Sequence, residues 1–458
     1  MSNLNRPDIN EDSRMPKDKK IKIITGVILS LGLLFLGIRA MRQIPEIELP
    51  TQIEETIPED IVIDIDNLNT AKSSWRNAAW CAVDKETVTS INIVNSYEGD
   101  IDATWLVDEL ICVQAPDGAV YILVGPGLHM LGSMRGTFAG FSNATQITGL
   151  NLLETSAVTD MSYLFAESNF SEVNISMWDT GNVTNFSHMV YQTENLETVY
   201  MNNMDLSQVV DISYMFAYST RLNNIYWENV NTSHIINMEG LFDGVGSSSS
   251  KGKTVLHGTI DTSSCTNLSY MFRRARMEDL TSIVRHFDTS SVTNMQGMFY
   301  HALNLFELDL SSWDVSNVVD MTEMFYDITF LKYLNVEGWN PRSLVYADRM
   351  FANCYNLRSF SGWSAAPQIK STEAMFANCF EMLEIDITCF DGATIENADS
   401  MFFCMQYVTT IYSNGFTVIN DAPEMFMFCI GLTTPSPYDE HKVSQAMATT
   451  SGYFTPRK

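Results

Sequence analysis

The chain contains seven histidines, His129, His188, His234, His257, His286, His301 and His441. A metal centre would need two of them one helical turn apart, or several converging with carboxylates. None has that spacing, so each is expected at the surface or hydrogen-bonded, and no metal ligand is assigned. The glycine-rich stretch GPGLHMLGSMRG, Gly125 to Gly136, lacks the Gly-Lys-Ser/Thr ending of a phosphate cradle and reads as a turn. Paired carboxylates can hydrolyse glycosides, but Asp179, Asp288, Asp314 and Asp391 recur at one position of a repeat. An aspartate repeated in that way is expected to accept backbone hydrogen bonds. With no nucleophile elbow and no calcium-loop spacing either, catalytic residues and cofactors are both expected to be none, and the chain is read as not an enzyme.

Two other residue types carry chemistry. Cys354, Cys379 and Cys429 share the offset MF-x-x-C and are expected as stacked, inert core thiols, whereas Cys81 and Cys112 lie outside the repeats and can pair in an oxidising compartment. Trp178, Trp227, Trp313, Trp339 and Trp363 fall 11 to 14 residues after a recurring Phe. They are candidate ligand-facing residues along a stack, with closure of the solenoid edge as the alternative. Seven Asn-x-Ser/Thr sequons, at Asn143, Asn169, Asn174, Asn182, Asn185, Asn231 and Asn267, partly follow from the wording of the repeat itself.

What positions all of these residues is a repeat. Met-Phe pairs, Leu-Phe in two units, place Phe165, Phe216, Phe242, Phe272, Phe299, Phe325, Phe351, Phe376, Phe402 and Phe426 at a common site, with Val190 substituting once and Phe138 opening a degenerate first copy. From Phe138 the spacings are 27, 25, 26, 26, 30, 27, 26, 26, 25, 26 and 24, which makes twelve units of solenoid period. The residue seven before the Phe is apolar in all but Cys265, itself a small hydrophobe, and the residue five before it is Ser, Asp or Asn in all but Tyr346. The latter is a helix N-cap signature. With Met295, Met298, Phe299, Ala302 and Leu305 at helical spacing, each unit is expected to be strand, turn and short helix, the strand read from alternation in LFELDLSSWDV, Leu305 to Val315. A unit this short cannot cover its own apolar face, so neighbours must stack.

WDTGNVTNFSHMV (178–190), FDTSSVTNMQGMF (287–299) and WDVSNVVDMTEMF (313–325) resemble the BspA-like bacterial surface-protein repeats, a divergent leucine-rich-repeat class. The resemblance covers about 131–426 and implies an α/β, leucine-rich-repeat-like solenoid with a β-rich N-terminal cap, carried by WCAVDKETVTSINI and DGAVYILVG, and a closing strand at SGYFT. It also implies adhesion or macromolecular interaction. The chain departs from the pattern at Met189-Val190, at Tyr346 and in DGVGSSSSKGKT (243–254), a lengthened surface loop.

Twenty-seven basic against 55 acidic residues, net charge -28, exclude a nucleic-acid partner, which requires a basic face. Lys17 to Lys22 precede the uncharged IITGVILSLGLLFLGI, Ile23 to Ile38. The expected organisation is therefore a cytoplasmic tail (1–22), a transmembrane signal-anchor (23–41), an acidic stalk (42–70), the β-rich cap (71–130), the solenoid (131–436) and a C-terminal cap strand and tail (437–458). A cleaved secretory signal is the alternative to the anchor, and both export the repeats. The expected protein is single-pass in the cell membrane, its partners the bilayer through 23–41 and an unknown extracellular protein or glycan; a purely structural surface stalk and an exported hydrolase are the competing readings.

Overall fold

The computed structural model describes residues 84–457, apart from 98, 100–102, 108–109, 125–128, 249–251 and 434. The expected tail, anchor and stalk, the start of the cap and Cys81 lie outside the described residues. Among the described residues no helix is long and apolar enough to cross a membrane.

Short β-runs define one side of a solenoid. The cap is a five-stranded sheet in the order β2 (Ala103–Val107), β3 (Leu110–Gln114), β4 (Ala119–Leu123), β1 (Ser90–Val94), β6 (Gln146–Thr148). Its hairpin strands β2, β3 and β4 run antiparallel, but β1 pairs parallel with both β4 and β6. Because β6 already belongs to the first repeat, the cap hands its register directly to the stack. Two separate parallel pairs are β5 (His129–Ser133) with β7 (Glu154–Asp160) and β16 (Thr394–Ile395) with β18 (Thr417–Val418); the main row continues with the parallel strands β8 (Glu172–Asn174), β9 (Thr198–Tyr200), β10 (Asn224–Trp227) and β11 (Val255–Gly258), then β12 (Glu307–Asp309) with β13 (Tyr333–Asn335). The row ends with β14 (Ser359–Phe360), β15 (Glu384–Asp386), β17 (Thr410–Tyr412) and β19 (Phe454–Thr455), the last being the closing strand expected at SGYFT. A five-residue helix, α1 (Leu280–Val284), replaces the strand between β11 and β12, N-capped by Asp279, whose carboxylate accepts from Ser282 N at 3.1 Å.

The expected helix of each unit is not there, and hydrogen bonding supplies the reason. In the unit of Phe216, three overlapping β-turns replace it: Met215 N donates to Ile212 O (3.2 Å), Ala217 N to Tyr214 O (3.1 Å) and Ser219 N to Phe216 O (3.2 Å). Tyr214 and Tyr218, the third residues of the first and last of these turns, have φ of 53° and 59°, as a type II turn demands. The intervening N-H groups leave the unit altogether: Ile212, Tyr214, Phe216 and Tyr218 donate to Asn237, Glu239, Leu241 and Asp243 of the next one, at 2.7–3.1 Å. The remaining donor, Ser213 N, goes to Asp211 Oδ1 at 2.8 Å. Every N-H from Ile212 to Ser219 is thus satisfied, half of them across the stack. The Ser/Asp/Asn signature does cap a backbone donor, at Asp160, Asn185, Asn294 and Asp320 among others, but it caps a turn. These capping residues also bridge in parallel from Asp160 to Asn397.

From Phe216 onward the recurring Phe residues form one continuous ring stack inside. Centroid separations from Phe216 through Phe242, Phe272, Phe299, Phe325, Phe351, Phe376 and Phe402 to Phe426 are 5.3–5.9 Å with planes within 13°. Phe138 and Phe165 form a separate pair at 5.6 Å, because Val190 interrupts the column. At the far end the last turns point N-H groups outward, and the C-terminal segment covers them. Ala422 N donates to Gln445 Oε1 (3.0 Å), Phe426 N to Val443 O (2.8 Å) and Phe428 N to the Tyr438 hydroxyl (3.0 Å).

Candidate functional site

The stack assigns most of the chemically notable side chains to structure. All five candidate tryptophans are buried, with at most 9 % exposure, which corrects their reading as ligand-facing residues. Trp178, Trp313 and Trp339 donate their indole N-H to Leu150, Val284 and Leu310 carbonyls at 2.8–3.0 Å, and Trp339 stacks between Trp313 and Trp363. They close the edge of the coil. Asp179, Asp288 and Asp314 accept from backbone N-H groups two residues on, at 3.1, 3.0 and 2.9 Å, while Asp391 accepts from Asn414 N of the following unit at 2.7 Å.

Cys354, Cys379 and Cys429 are buried, each thiol donating to the carbonyl of the Phe in the preceding unit. Burial pushes Cys354 and Cys429 up to about 12 and Cys379 well above the usual thiol range. Cys112, on β3, is likewise buried, and burial raises its pKa. Among the described residues no group of three His, Cys, Asp or Glu is placed to hold a metal ion. His301 Nδ1 contacts Asp327 Oδ2 at 2.7 Å, and His188 lies between the rings of Tyr163 and Tyr214 at 4.5 and 5.1 Å. Burial lowers the His188 pKa.

What stacking does not explain is a corner of the coil, four to seven residues after each Phe. Five or six residues after it stands a buried apolar side chain in every unit but the lengthened one of Phe242, among them Phe170, Leu196, Leu222, Met277, Leu305, Leu331, Leu357, Met382, Val408 and Leu432. The positions around it are exposed, and in the first half of the stack they are polar. Asn169, Asn195 and Arg221 form a ladder there, with Asn195 Nδ2 donating to Asn169 Oδ1 and Arg221 to Asn195 Oδ1 at 2.6 Å. From the unit of Phe299 onward the same corner turns apolar: Phe306 (56 % exposed), Phe330 (54 %), Tyr355, Leu383, Tyr407 and Ile430 (63 %) stand in six consecutive units. Phe306 pairs with Phe330 at 5.8 Å and Tyr355 with Phe380 at 5.3 Å, so rings meet across neighbouring units twice along this exposed apolar ridge. At about 4.8 Å per stacked unit the ridge runs about 25 Å.

Two cations stand in the ridge. Lys332 and Arg358, both exposed, occupy the seventh position after Phe325 and Phe351. Arg358 lies over the Tyr333 ring and donates to its hydroxyl at 3.0 Å, and Lys332 has no ion-pair partner among the described residues. Exposed apolar side chains in consecutive units, rimmed by polar groups, make this corner the candidate functional site. Sequence reasoning passed it over because it searched for catalytic residue types. The readable signal was an excess: this corner needs one buried apolar residue per unit, and the last six units supply two or more.

A family model described as "Mycoplasma protein of unknown function, DUF285" matches residues 132–255, 249–363 and 330–431. No curated protein matches the chain. Among solved structures, a leucine-rich repeat protein from Bacteroides ovatus aligns over 83 % of this chain and 93 % of its own, at 13 % identity and a TM-score of 0.26.

Proposed function

We propose, on the premise that this chain belongs to the DUF285 family, that it is a non-enzymatic, membrane-tethered surface protein whose solenoid binds a macromolecular partner through the apolar ridge. The observation that carries this reading is the halfway switch of the exposed positions at one corner from polar to apolar, while eleven of the twelve units keep a buried apolar residue beneath them. Stacking requires the core residue and leaves the exposed ones free to vary, so six units of exposed apolar residues are attributed to contact with a partner. The partner is proposed to be an extended protein surface. Each half-exposed Phe or Leu offers only about 1 kcal/mol on being covered, whereas association costs about 4–15 kcal/mol, so several units must be engaged together.

Display rests on the uncharged segment 23–38 behind a lysine cluster, and on the resemblance of the repeats to BspA-like surface proteins. Protease shaving of intact cells tests it: the repeats are cut without permeabilisation if displayed, and an ectodomain protected until the membrane is opened refutes export. Binding is tested by comparing the wild-type protein with Phe330→Ser/Leu383→Ser on arrays of matrix proteins and glycans. Loss of one protein ligand at unchanged thermal stability is expected. Ligands retained in full by the variant would remove the ridge from the binding surface.

A further inference from the structure

We infer that the ridge is covered, in the absence of an external partner, by the chain's own acidic segment Asp60–Asp66. The inference rests on the ridge being a docking surface and adds the identity of its resident occupant. The segment reads DIVIDID. In an extended chain Ile61, Ile63 and Ile65 fall on one side, and Asp60, Asp64 and Asp66 on the other with Val62. A segment with one apolar edge and one acidic edge is what an exposed aromatic ridge containing Lys332 and Arg358 would select from a chain of net charge -28. The positive stretch is short. Exposed Glu307 lies before it and exposed Glu381 and Glu384 after it, so complementarity is confined to the middle units, matching acids spaced two residues apart.

Reach and direction agree. The described chain starts at the same corner of the coil as the ridge: Asn143, five residues after Phe138, donates its amide to Glu86 O at 2.6 Å. From there to the first ridge residues is six units, about 30 Å at about 4.8 Å each. The 17 residues between Asp66 and Asp84 let those two residues stand up to about 60 Å apart when extended. The segment therefore reaches the ridge along its own corner without crossing another face.

The test uses the full-length chain in detergent, with Phe330 replaced by p-benzoylphenylalanine, irradiated as an equal mixture of normal and heavy-isotope protein. Crosslinks to residues 60–66 of the same chain are expected. Lys332→Glu/Arg358→Glu should lower their yield by about twofold to thirtyfold, the range two exposed ion pairs imply, and Asp64→Lys/Asp66→Lys should restore it. Circular dichroism confirms that the exposed substitutions leave the fold intact. Mixed-isotope crosslinks, crosslinks elsewhere, none at all, or a yield indifferent to the charges would each overturn the inference. Loss of an external ligand in Phe330→Ser/Leu383→Ser without any such crosslink would leave the docking surface standing and remove only its internal occupant.

Discussion

Replacing Phe299 by Ala cuts the ring column in the middle of the stack. Phe299 is fully buried, with Phe272 at 5.8 Å, Phe325 at 5.6 Å and Trp313 at 6.2 Å. Truncating such a residue costs about 3–5 kcal/mol, because the rigid ladders on either side hold the cavity open. Ring-ring preference contributes about 0.5–1.5 kcal/mol per lost pair within that total. The distinctive consequence is one of shape. Each unit is bonded only to its neighbours, so a weakened unit at the centre uncouples the two halves, and one unfolding transition becomes two. Urea unfolding followed by circular dichroism and tryptophan fluorescence reads both effects, since Trp178 and Trp227 report on the first half and Trp313, Trp339 and Trp363 on the second. Phe330→Ala, at a residue 54 % exposed, is the control and should change stability by less than about 0.5 kcal/mol. A loss below about 1 kcal/mol for Phe299→Ala, or one transition at an unshifted midpoint, would refute the claim that the column couples the stack.

Three further outcomes follow from other contacts. Truncation after residue 436 uncovers the N-H groups of Ala422, Phe426 and Phe428 and removes β19 from β17, so the shortened chain should self-associate, as read by light scattering. In the native protein Cys404, which is partly exposed, should be alkylated by iodoacetamide at pH 8, while Cys354, Cys379 and Cys429 react only after denaturation; mass spectrometry of the modified peptides decides this. Hydrogen bonds from Ser207, Ser311 and Ser316 hold the Asp205, Asp309 and Asp314 carboxyls below the usual carboxylate range. Their folded pKa values are depressed, so their contribution is complete above the unfolded value of about 3.9 and is lost as pH falls through the folded ones. Melting temperature should therefore drop below about pH 4, and less steeply in Asp309→Asn/Asp314→Asn; equal slopes would contradict the assignment.

The sequence by itself determined the repeat, its period, the unit count and the Met-Phe core. Each depends on residue identity recurring in one dimension, and stacking preserves that order. It also determined that Asp179, Asp288 and Asp314 are turn acceptors, since a local bond two residues away needs no distant partner. The helix was misread because a capped, three-residue-spaced apolar pattern is common to a helical turn and to a run of overlapping β-turns. Gly136 with Gly140 and Gly240 with Gly244, four apart in repeat register, carried a signal for left-handed backbone, but Tyr, His, Glu and Arg fill those places in other units.

Only the tertiary structure settled the matter, because half of the turn donors bond to the next unit. Those acceptors exist only once neighbours are in place, and they offset the cost of holding non-glycine residues at positive φ. The tryptophans went the same way: whether a ring faces solvent or closes a coil depends on the unit beside it. The apolar ridge is the converse case. Its residues were in plain view, but only their exposure beside a core already complete without them distinguishes a surface for contact from more core.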